Sequence, residues 1–88
     1  MTPHDKFSNS VSTSAKAGSF NRDQLVLDAC ELSRDLRDKG STPEAMLIVV
    51  KRILEGAAVR APLKMQEDIV TNCIETFFEA FAIPAPLT

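Results

Sequence analysis

Met46-Leu47-Ile48-Val49-Val50-Lys51-Arg52-Ile53-Leu54-Glu55-Gly56-Ala57 is the stretch on which the fold turns. Its first five residues include three β-branched ones, a composition that suits a buried strand. The spacing says otherwise. Met46, Val50, Ile53 and Ala57 recur at helical intervals, Leu47 and Leu54 flank them, and Lys51, Arg52 and Glu55 gather on the opposite side, which predicts an amphipathic helix. Just upstream, Thr42-Pro43-Glu44 supplies a capping hydroxyl, a proline for the first helical position and a carboxylate for the first turn. The helix is therefore expected over residues 43–58. With it read as a helix, no strand remains in the chain and the fold class is all-α.

On the N-terminal side, Gly40 sits beyond Lys39, the left-handed residue and the cation expected at a helix C-terminus. The helix it ends is expected over residues 22–39. Asn21 is its candidate cap, Gln24 can reach back three residues, and Phe20 can pack on Leu25. Leu25, Ala29, Leu32 and Leu36 form its narrow apolar stripe, with Asp28, Glu31, Arg34 and Asp35 read as surface charges. On the C-terminal side, Pro62 opens a third helix, expected over 63–82 and stopped by Pro84 and Pro86. The connection between the first two helices is short enough to make them neighbours.

Residues 1–19, MTPHDKFSNSVSTSAKAGS, are rich in Ser and hold only two large apolar side chains, Phe7 and Val11. Such a stretch has little to offset its ordering entropy and reads as a disordered tail. The expected organisation is thus a tail over 1–19, a three-helix bundle over 20–83 and a Pro-containing end over 84–88. Dimerisation is expected to complete the bundle.

At 88 residues there is room for one domain. Charged residues make up 25% and apolar ones 44%, ordinary globular proportions. The net charge of −2 gives no basic surface for bulk phosphate binding, so nucleic acid is not the expected partner. The chain shows no basic run followed by an apolar one near residue 1, and no apolar run near the roughly 18 residues that cross a bilayer. A cytoplasmic location with no membrane partner is the expectation. Cys30 and Cys73 each fall within a helical apolar pattern, with no CxxC spacing and no neighbouring histidine. They read as buried reduced thiols.

Chemistry-bearing constellations are missing from the pattern. His4, the one histidine, lies in the expected tail, so no histidine-based acid–base pair or zinc site can form in the bundle. Gly18, Gly40 and Gly56 are isolated and make no phosphate loop. Glu75 and Glu79 share the polar face of the last helix without a further ligand. No catalytic residue, cofactor or metal is expected, and the chain is not expected to be an enzyme.

What stands out is apolar surface in excess. The apolar residues of the last helix sweep about 200° of its circumference, more than one face of a small bundle hides. Ile74, Phe78 and Phe81 are therefore the expected protein interface, with Ile48 a second contact, and the expected function is a protein-interaction or regulatory module that self-associates through the last helix. The rival reading is a helix-turn-helix nucleic-acid binder that uses Lys51, Arg52 and Arg60 on phosphates.

The run from Gly40-Ser41-Thr42-Pro43-Glu44 to Lys51, followed by Cys73-Ile74-Glu75-Thr76-Phe77-Phe78, resembles a group of small, uncharacterised bacterial helical proteins. They pair a Gly-x-x-Pro-Glu turn with a Cys-Ile-Glu-x-aromatic-aromatic last helix. The similarity covers about residues 25–81. It implies a bacterial origin and a helical fold, and it brings no activity, ligand or site residue with it.

Overall fold

A computed structural model describes residues 2–57 and 59–79. Four helices make it up: α1 (Pro3–Ala17), α2 (Arg22–Asp38), α3 (Pro43–Glu55) and α4 (Leu63–Phe78). Among the described residues there is no strand. Met46–Glu55 is helical as expected, and α2, α3 and α4 start where the caps and prolines place them. Helix α3 closes at Glu55, ahead of the expected 58, while the expected end of α4 at 82 and the end over 84–88 lie outside the described residues.

The local signals account for the boundaries. Thr2, Asn21 and Thr42 each accept a hydrogen bond from the backbone N–H three residues on, at 3.1 Å. Pro3 and Pro43 stand in the first turns of α1 and α3. Between α2 and α3 the chain reverses through Gly40 at φ +89°, where Ser41 N–H reaches back to the Leu36 carbonyl at 2.9 Å. Thr42→Ala should cost about 1 kcal/mol of unfolding free energy in chemical denaturation, since it orphans one N–H of the first turn of α3.

The principal difference from the sequence expectation lies over residues 3–17, which form a helix of the bundle rather than a disordered tail. Phe7, Val11 and Ala15 recur at i, i+4 and i+8 and are all buried, Phe7 completely. Two large apolar side chains were too few to predict order when weighed against water alone. They suffice here because α2 and α3 together present an apolar groove to them. Leu25, Ala29, Leu32, Met46 and Val50 are buried in one core with Phe7 and Val11. The helix α1 also carries both of its own end signals, the Thr2 cap and Gly18 at φ +69°.

Helix α1 packs on α2 and α3, and α4 packs on the same pair. The described architecture is thus a four-helix arrangement in which α2 and α3 meet in the middle, α1 covers one side and α4 the other. Ile69, Cys73 and Phe77 of α4 complete the core.

Burying α1 also buries a charge that the sequence assigned to the surface. Asp28 is 1% exposed. Ser10 Oγ donates to its Oδ2, Gln24 Nε2 donates to its Oδ1 at 3.0 Å, and Lys6 Nζ stands 3.7 Å away. Gln24 therefore turns its side chain inward to Asp28. The reciprocal capping contact expected of it is replaced by this one.

Candidate functional site

The last helix is held to α2 by polar contacts along one flank. Arg22 Nε donates to Asp68 Oδ2 at 3.1 Å, Arg34 pairs with Glu79 at 3.6 Å, and Arg37 Nη1 donates to the Thr76 carbonyl at 3.1 Å. The Asp68 contact, together with Asp23, raises the pKa of the Arg22 guanidinium above its usual value. Ser33 Oγ donates to the Cys73 carbonyl at 2.8 Å in the buried part of this seam. These contacts fix which side of α4 turns inward and so define the side that remains outside.

On that outer side Leu63, Val70, Ile74 and Phe78 follow one another at i, i+7, i+11 and i+15, a single stripe along the helix. Leu63 is 71% exposed and Phe78 45%, while Val70 and Ile74 are half-buried. The Phe78 ring meets Phe77 edge-on, with centroids 5.5 Å apart and planes at 72°. Between this stripe and α3 runs a groove of about 380 Å³, floored by Leu54, with Leu63 and Val70 along one wall and Lys51, Glu55 and Glu67 at its rim. At the far end of α4 a second hollow, of about 390 Å³, is formed by Phe77 and Phe78 with Arg37 and the turn residues Gly40, Ser41 and Pro43.

Of the residues expected at the interface, Ile74 and Phe78 share this stripe. Phe81 lies outside the described residues. Ile48 is 51% exposed and lies on α3 one turn before Lys51, which lines the groove. Sequence reasoning passed over Leu63, treating it only as a helix start, and passed over the groove altogether. The signal was available in the Leu63–Val70–Ile74–Phe78 spacing; the contribution of Leu54 and Lys51 depended on how α3 and α4 pack.

Of the basic residues of the rival reading, Lys51 stands at the groove rim with Glu55 and Glu67, and Arg52 and Arg60 are exposed. Among the described residues no three His, Cys, Asp or Glu side chains come together as a metal cluster would require, and His4 is exposed on α1 beside Asp5 at 3.7 Å.

The two cysteines, far apart in sequence, meet between α2 and α4. Both are buried free thiols. Thr76 Oγ1 donates to Cys30 Sγ at 3.2 Å, and the Cys30 thiol lies 3.8 Å from the Asn72 carbonyl. Burial, helped by the neighbouring Cys30, pushes the Cys73 thiol up to about 12. A thiol held protonated in this way is a poor nucleophile.

No helix among the described residues is long and apolar enough to cross a membrane. Compared with family models, curated proteins and solved structures, the chain matches none.

Proposed function

We propose that the chain is a non-catalytic interaction module of the bacterial cytoplasm that works without a cofactor and self-associates through the outer face of α4. The observation that carries this reading is the apolar stripe Leu63–Val70–Ile74–Phe78, exposed at Leu63 and Phe78 and half-buried between them, beside the groove floored by Leu54. A stripe of this length, next to a concave apolar strip and rimmed by charges of both signs, has the form of a helix-docking surface. A small bundle also gains stability from association, because a partner that binds only the folded state shifts the folding equilibrium. The groove favours this over nucleic-acid binding, since its rim alternates Lys51 with Glu55 and Glu67 where phosphate contacts need clustered cations.

The test is the mass in solution. Light scattering at tens of micromolar should give two chains for the wild type and one for Phe78→Asp, with helicity unchanged by circular dichroism. Phe78 is 45% exposed, and the unchanged helicity checks that loss of its edge contact with Phe77 has not unfolded the chain. A wild type of one-chain mass, or a Phe78→Asp variant as large as the wild type, would overturn the proposal.

A further inference from the structure

Helix α1 has an unusual standing in the fold. Its composition cannot sustain order by itself, its ends are capped by its own Thr2 and Gly18, and among the described residues it touches α2 and α3 but not α4. Its attachment includes three apolar side chains in line, Phe7, Val11 and Ala15, and a polar lock. In that lock Ser10 donates to the buried carboxylate of Asp28, while Lys6 Nζ binds Glu31 at 3.1 Å and stands 3.7 Å from Asp28. Glu31 also raises the Lys6 ammonium pKa above its usual value.

We infer that α1 is an exchangeable ligand helix: the α2/α3 groove that holds it within one chain also accepts the α1 of a second copy, with Asp28 reading Lys6 and Ser10 as marks of the correct register.

A second copy's α1 makes the same contacts as the chain's own, so exchange needs no new surface and closes into a symmetric pair. The groove is a helix-receiving site by its chemistry, an apolar trough between two helices with the buried Asp28 in its wall and the exposed Glu31 beside it. The Asp28 carboxylate supplies selectivity, because a helix that slides by one residue leaves Asp28 covered without the Ser10 bond to Oδ2, its buried charge held by Gln24 at Oδ1. The hinge is short, residues 18–21, and it turns back on the one left-handed residue Gly18, whose N–H bonds the Ala15 carbonyl at 3.2 Å. Proline at that position can neither adopt a φ of +69° nor donate that hydrogen bond, so it disfavours the fold-back that seats α1 on its own chain.

Two measurements test this, both on full chains carrying Phe78→Asp so that association through α4 does not contribute. In the first, a protease site inserted between Gly18 and Ser19 is cleaved and a fluorescent helix of residues 2–18 is added. The nicked chain should take up the labelled helix saturably, and a helix carrying Lys6→Met and Ser10→Val should bind at least tenfold more weakly. In the second, Gly18→Pro should shift the protein to two-chain mass by light scattering, and adding Val11→Asp should return it to one. Failure of the labelled helix to enter, uptake indifferent to the Lys6 and Ser10 changes, or a Gly18→Pro chain that stays at one-chain mass would each overturn the inference. None of these outcomes depends on whether wild-type chains pair through α4.

Discussion

Phe7→Ala should lower the unfolding free energy by about 3–5 kcal/mol, the range for emptying a fully buried aromatic site. In a domain of this size each kcal/mol moves the thermal midpoint by roughly 4–8 °C, so a drop of well over 10 °C is expected in a thermal scan followed by circular dichroism. The size of the effect follows from where the ring sits. Phe7 is 0% exposed and lies in one core with Leu25, Leu32, Met46 and Val50, so truncation leaves a cavity between three helices. Were residues 1–19 a tail, the same substitution would fall within about 0.5 kcal/mol of the wild type, as surface changes do. Phe78→Ala, made on a ring of similar size that is half in water, supplies the control and should change the stability of the isolated chain far less.

That contrast also shows where the sequence was legible and where it was not. The chain writes its helix starts in local chemistry: Asn21 before Arg22, Thr42 before Pro43 and Pro62 before Leu63 are signals within four residues of the event they mark. The strand-like Met46–Val50 run was resolvable because its continuation to Ala57 carries the helical period. Helix α1 could not be read in this way. Its Phe7, Val11, Ala15 stripe is visible once a groove exists to receive it, but the groove is made by residues from 10 to 43 positions away, Leu25 to Val50. Asp28 was misplaced for the same reason. On α2 alone it belongs to the polar side, and it is the arrival of Ser10 from α1 that turns this side inward. At the candidate site, Ile74 and Phe78 were readable as excess apolar arc. The partnership of Leu63 and Leu54 across the α3/α4 groove was not, since it depends on the pairing of two helices and on which flank of α4 Arg22, Arg34 and Arg37 fasten to α2.

The Cys73 thiol should react with a disulfide reagent at pH 8 on the order of a thousandfold more slowly in the folded protein than after unfolding, from ionisation alone. Burial and the adjacent Cys30 move its pKa from 9.0 to about 12, and the thiolate is the reactive species. The same shift makes a statement about stability. Because the folded-state value is raised above the unfolded one, the thiol's contribution is fully present below about pH 9 and is lost as pH rises towards 12. Between those limits the unfolded chain releases a proton that the folded chain keeps, so the unfolding free energy should fall by about 1.4 kcal/mol per pH unit. Cys73→Ala removes this slope at the cost of a smaller core side chain. The diagnostic is therefore the difference between wild type and variant in denaturant midpoint from pH 8 to pH 10.5. That difference should narrow as the pH rises, because only the wild type carries a thiol whose burial becomes harder to maintain. A difference constant across that range would mean that Cys73 ionises as freely in the fold as outside it, and that the α2/α4 seam admits water where Ser33 and Thr76 close it.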